Sequence, residues 1–289
     1  MIFPGFLFTA VVGLLATWVD RKVTARVQYR AGPPWFQPFA DIAKLLGKET
    51  IIPEGAARSV FLGAPLVGLA AVTLIAAILF RGQPFVGDLI VVFYLLTIPS
   101  LALIIGGSAS RNPLAALGAS REMKLILAYE LPFILALATV VLKARSIMLG
   151  DIVAHQTLAG MMIGSFSGLL AFAAALIVVQ AKLGAVPFDV AEAEQELAAG
   201  PLLEYSGPPL ALFRLTRAML YLVLPLLLVI LFLGGIDAWV GLKYLLVLTV
   251  IILVKNTNPR LRIDQALRLF WGPVTGLAIA AFILALIGW

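Results

Sequence analysis

Residues 182–217 read KLGAVPFDVAEAEQELAAGPLLEYSGPPLALFRLTR. The stretch lies between two apolar runs, 161–181 and 208–233, and carries Asp189, Glu192, Glu194, Glu196 and Glu204, five of the chain's fifteen acidic residues. Carboxylates pressed against hydrocarbon are costly, and a cluster of them there points to function. The rest of the chain reads as the scaffold that holds this cluster at the edge of a bilayer.

Composition sets that scaffold's class. The 289 residues are 62% hydrophobic and 12% charged, against roughly 25% charged in soluble domains. Repeated apolar runs at this charge density describe a polytopic membrane protein, all-α because lipid leaves an open chain no other way to pair its backbone. We expect eight spans, near 2–20, 59–80, 88–108, 123–143, 161–181, 208–233, 240–255 and 270–288. No internal repeat or low-complexity segment stands out, and residues 1–289 read as a single integral membrane domain. The first run is followed by Asp20, Arg21 and Lys22 and by no small-residue cleavage motif, so it reads as a retained span.

Orientation follows from the basic residues. Loops after odd-numbered spans carry 17 of the Lys and Arg residues and the other loops carry 4. That bias puts the odd loops in the cytoplasm and both termini outside. It also explains the net charge of +6 without nucleic acid. There is no cysteine, and His155 is the one histidine. A disulfide, a thiolate-bound cluster or a bis-histidine haem therefore cannot be built from one copy of this chain. His155, alone in an outer loop, reads as ordinary.

Within the first loop, Gly32, Pro33 and Pro34 break the first helix. Phe36, Phe39, Ala40, Ala43 and Leu46 then recur near helical spacing, with Asp41, Lys44 and Lys48 on other faces. That pattern predicts an amphipathic helix on the membrane surface. In the second loop, Ser120 is placed to cap the fourth span and Glu122 to sit in its first turn. Glu130 lies about two turns inside that span, next to Pro132, which frees a backbone carbonyl. An ionisable group at that depth is a functional candidate; the plainer reading is a snorkelling or paired carboxylate.

For the acidic stretch, Pro187 ends the fifth helical region. Asp189 is placed as a helix cap, with Glu192 completing a capping-box-like pair. A short helix over 191–199 would end at Gly200-Pro201. It would put Glu192 and Glu196 on one face, where like charge and desolvation raise each other's proton affinity. Caps and a solvated face would account for Asp189 and Glu194. They do not account for Glu192, Glu196, Glu204 and Tyr205 together, which point to a proton-handling group. In the last basic loop, Asp264 among Arg260, Arg262 and Arg268 suggests a local ion pair.

The motifs DRKVTARVQYRAGPP, ADIAKLLGKE, GASREMKLILAYELPF, VPFDVAEAEQEL and GPLLEYSGPPLALF resemble subunit 1 (the bacterial H subunit) of respiratory complex I and its relatives, over residues 20–271. GASREM, AEAEQEL, GPLLEYSG and NPRLRID resemble most the membrane subunits of group 4 energy-converting [NiFe] hydrogenases and related sulfur-reducing complexes. Arg30-Ala31-Gly32-Pro33 runs almost directly into Trp35-Phe36-Gln37-Pro38, without the longer glycine-proline insertion of quinone-reducing members. The resemblance implies a coupling and docking subunit in the inner (cytoplasmic) membrane with no cofactor of its own. A [NiFe] centre and iron–sulfur clusters would belong to partners: hydrogenase-like large and small subunits and a ferredoxin-like subunit. Antiporter-like membrane subunits and lipid would complete its surroundings. It further implies a proton relay through Glu130, Glu192, Glu196 and Glu204, and docking or electrostatic roles for Arg26, Arg30, Lys44 and Arg121.

Competing functions remain at this level. A quinone-reducing or sulfur-reducing complex would use the same subunit. A passive anchor would share its docking face. A stand-alone transporter fits poorly, because such folds often show repeats or paired broken helices.

Overall fold

The computed structural model describes residues 2–81 and 85–288. Among these it is helical throughout, with no strand. The helices are α1 (Leu7–Val27), α2 (Gln37–Leu46), α3 (Arg58–Arg81), α4 (Asp88–Ala109), α5 (Pro113–Ala144) and α6 (Leu149–Ala159). They continue with α7 (Phe166–Lys182), α8 (Glu194–Leu197), α9 (Gly207–Phe232), α10 (Val240–Thr257), α11 (Ile263–Leu269) and α12 (Thr275–Ile287). Six runs are long and apolar enough to cross a membrane: α3, α4, α5, α9, α10 and the continuous Ile263–Ile287. The other two expected spans appear as α1, charged at its far end by Asp20, Arg21, Lys22 and Arg26, and as the shorter apolar α7. α7 starts at Phe166 because the Ser165 hydroxyl accepts from the Gly168 amide and caps it.

Several boundaries differ from the sequence reading. α5 begins ten residues before the predicted 123, at an Asn-Pro pair. The Asn112 carboxamide oxygen accepts from the Leu114 amide at 2.8 Å. Pro113 then occupies the first helical turn, where a missing N–H costs nothing. Ser120 and Glu122 are therefore interior residues of α5, neither cap nor first turn. The outer loop around His155 contains a further helix, α6. The helix expected over 191–199 shrinks to α8, whose cap position is Ala193 with no side-chain bond. Asp189 is thus not a helix cap: the backbone does not turn helical until Glu194, five residues further on.

Contacts divide the chain into two compact units. The first comprises Met1–Arg81, Tyr94–Lys124 and Asp189–Val223. In it α1 meets α9 at Gly13, where an added Cβ would lie 2.3 Å from the Ala218 carbonyl oxygen. Small residues let apolar helices approach backbone to backbone. A second centre gathers Phe61, Ala64, Ala102, Tyr205 and Phe213, all buried. The Tyr205 ring stacks on Phe61 at 4.1 Å and meets Phe213 edge-on at 4.9 Å. Its hydroxyl donates to the Phe61 carbonyl at 2.9 Å. Pro65 has no N–H to give that carbonyl, so Tyr205 supplies the bond that α3 cannot make for itself. The second unit comprises Gly82–Phe93, Leu125–Phe188 and Leu224–Trp289. Its α7 and α12 pack closely. Gln156 donates to the Ile230 carbonyl at 2.9 Å and accepts from the Gly234 amide at 2.8 Å, closing the end of α9.

Candidate functional site

In the first unit the acidic stretch folds back on itself. Gly200 makes this possible: its φ is +52°, and an added Cβ would sit 2.0 Å from the Ala191 carbonyl oxygen. Around that turn each of three predicted carboxylates meets its own donor. Glu192 pairs with the Arg217 guanidinium on α9. Glu196 pairs with Arg121 on α5, and Arg121 also reaches the Val190 carbonyl at 3.5 Å. Glu204 accepts from the carboxamide of Asn112, the residue that caps α5. Glu192 and Glu196 do not share a helix face as predicted: Glu192 precedes α8, and each carboxylate faces an arginine where the sequence suggested mutual repulsion. Glu194 is in α8, and its side chain lies outside the described residues.

Sequence reasoning missed the residues that organise this unit. Arg217 and Tyr221 stand one turn apart on α9. Glu192 and Glu122 act electrostatically on Arg217, and Asp20 and Glu192 on Tyr221. Asp20 and Glu122 are buried, with 6% and 9% of their surface exposed. The available signal is the spacing of Arg217 and Tyr221 inside an apolar helix, where a charge and a phenol share one face; the positive-inside pattern alone makes Arg217 only a basic flank.

Of the predicted docking residues, Arg26, Arg30 and Lys44 are exposed, whereas Arg121 is engaged with the acidic stretch. α2 is held against α1 by Arg21, which bonds Asp41 at 2.9 Å. Burial pushes the Asp41 carboxyl up, but its bonds from Arg21 and Gln37 outweigh that and hold it below the usual carboxylate range. Burial pushes the Tyr205 phenol well above the ordinary tyrosine range.

Glu130 lies in the second unit. The Lys182 ammonium faces it at 3.4 Å, and the lysine side chain is only 3% exposed. The same ammonium stands 4.8 Å over the Tyr129 ring and 5.3 Å over the Phe133 ring. By sequence Lys182 is a loop residue; in the structure it is the last residue of α7 and faces inward. Close by, Gln180 donates to the carbonyls of Val186, at 2.7 Å, and Ile251, at 3.3 Å. The Pro187 carbonyl accepts from Leu261 at 3.0 Å. These bonds tie the start of the acidic stretch to α10 and the basic loop after it. In that loop Asp264 pairs with Arg262 at 3.3 Å. His155 sits on α6 with its Nδ1 buried and without a hydrogen-bond partner.

No group of three or more His, Cys, Asp or Glu side chains suited to a metal occurs among the described residues. With no cysteine in the sequence, a thiolate-bound nickel or iron–sulfur centre does not fit this chain.

Comparison with known proteins agrees with this architecture. The family model described as NADH dehydrogenase matches residues 2–286. The H subunit of the NADH-quinone oxidoreductase of Thermomicrobium roseum is 38% identical, over 95% of this chain and 92% of that protein. An H subunit of the same enzyme in Syntrophobacter fumaroxidans, the one numbered 2, is 36% identical, over 93% of this chain and 88% of that protein. A solved chain from the membrane-bound sulfane sulfur reductase, an archaeal respiratory membrane complex, matches with a TM-score of 0.90 at 31% identity, covering 96% of both chains. The chain belongs to the NADH dehydrogenase family, as a membrane-embedded, multi-pass subunit of the H type in a complex I-like respiratory complex.

Proposed function

We propose that this subunit seats the electron-transfer arm of a redox-driven ion-translocating complex and relays charge through its buried carboxylates. The reading is carried by the acidic stretch, in which Glu192, Glu196 and Glu204 are each held by a separate donor. A carboxylate paired with an arginine stays ionised. A change of charge in a docked partner that draws Arg217 or Arg121 away lets the carboxylate take up a proton. The return of the arginine expels it. Glu130 would be the deeper station toward antiporter-like subunits. The exposed Arg26, Arg30 and Lys44 would meet the arm on the cytoplasmic side, with both termini outside.

The finer assignment is a membrane-bound [NiFe] hydrogenase, with the nickel centre and iron–sulfur clusters in large, small and ferredoxin-like partner subunits. Its support is the resemblance of GASREM, AEAEQEL and NPRLRID. A sulfur-reducing complex is the second reading, favoured by the likeness to the sulfane sulfur reductase. Metal analysis of the purified complex separates them. Nickel with iron supports the hydrogenase; iron without nickel, together with sulfane reduction, supports the second reading. Bound quinone would overturn both.

The relay is tested in proteoliposomes. Glu192→Gln and Glu130→Gln should leave electron transfer largely intact and weaken ion pumping. Unchanged pumping in both variants would leave a passive anchor as the function.

A further inference from the structure

We infer that Lys182 is a positioning residue for proton uptake at Glu130: a caged ammonium that holds the carboxylate ionised while it faces it and lets it accept a proton when it withdraws. This rests on the relay reading of Glu130 above and adds to it a residue and a switching step.

The geometry carries the inference. A tight charge-assisted bond between an ammonium and a carboxylate is roughly 2.7–2.9 Å long. The separation of Lys182 and Glu130, 3.4 Å, is longer. The ammonium also lies within reach of the faces of Tyr129 and Phe133, close enough for cation–π attraction within about 6 Å. It therefore has two favourable settings side by side, the carboxylate and the pair of rings. Tyr129, Glu130 and Phe133 fall within little more than one turn of α5, so a single swing of the lysine stem exchanges them. Lysine suits the task because its compact charge rides on a flexible stem, whereas the arginine fork would grip the carboxylate in a fixed geometry.

The step balances simply. In the facing state the pair is carboxylate and ammonium, with no net charge. When the ammonium leans onto the rings it keeps its proton. The carboxylate, which is costly to leave uncompensated away from bulk water, takes one proton from a water or carboxylic acid on the uptake side. When the ammonium returns, that proton leaves toward the release side. One proton is moved per swing, and no electron is transferred in this chain.

The experiment uses the whole complex in proteoliposomes, with pumping per electron and turnover-induced infrared difference spectra as readouts. The carboxylic-acid carbonyl band of Glu130 is identified by its loss in Glu130→Gln. In the native complex the band should come and go with turnover. Lys182→Met should show the band in every state, and Lys182→Arg in none. Both should lose pumping while retaining electron transfer. A merely structural ion pair would not produce these opposite spectra. If Glu130→Gln pumps normally, the relay reading falls and this inference with it. If Glu130→Gln loses pumping but either lysine variant pumps at the native ratio with the native band, only this inference is overturned. Should Lys182→Met not assemble, Lys182→Arg decides alone, since it preserves the charge.

Discussion

At the scale of single residues, polar groups here serve backbone gaps as much as chemistry. Tyr205 is the clearest instance. Its hydroxyl completes the carbonyl of Phe61 that Pro65 leaves open. Tyr205→Phe keeps the stacking and should cost about 1–3 kcal/mol, the toll of an unpaired buried carbonyl. A lowered midpoint in thermal unfolding of the detergent-solubilised protein checks this, and an unchanged midpoint refutes it. Asp41 gives a pH test. Burial opposes its ionisation, but the bonds from Arg21 and Gln37 prevail and its folded-state value is depressed. Its contribution is therefore present above the ordinary value of about 3.9 and is lost as pH falls through the lower folded value. The attachment of α2 to α1 should loosen over that acid range, seen as faster proteolysis of residues 28–52. Arg21→Ala should move the onset to higher pH.

At the scale of elements, the acidic stretch depends on irregular backbone. Its only α-helix among the described residues is the four-residue α8, and the chain reverses at Gly200. Gly200→Ala imposes a left-handed conformation that costs about 1–2 kcal/mol for an ordinary residue, before any clash. The Ala191 carbonyl then blocks the new methyl group. The expected outcome is a complex that either fails to assemble or assembles without pumping. Native pumping by Gly200→Ala would show that the turn is not required. Asn112 links two elements at once, capping α5 and holding Glu204. Asn112→Ala should shorten α5 at its start and release the glutamate together, visible as increased hydrogen exchange in both 113–117 and 202–206.

At the scale of the whole molecule, orientation in the membrane is the accessible test. The native sequence has no cysteine, so single-cysteine variants report without background. A cysteine at Thr50, an exposed site after α2, should react with an impermeant reagent only from the cytoplasmic side. One at Thr157, exposed on α6, should react only from the other side. The same side for both would overturn the positive-inside assignment.

The sequence by itself determined that the chain is helical, membrane-spanning and acidic at one loop, because the hydrocarbon solvent admits few backbones and penalises every charge it meets. It also placed α2, whose apolar spacing is local. Other features needed the tertiary structure. Asn112-Pro113 starts α5 by cap geometry that periodicity does not register. Arg217, Asn112 and Lys182 face Glu192, Glu204 and Glu130 from 25, 92 and 52 residues away. Composition says that a buried carboxylate needs a counterpart; only the packing of distant helices decides which one it gets.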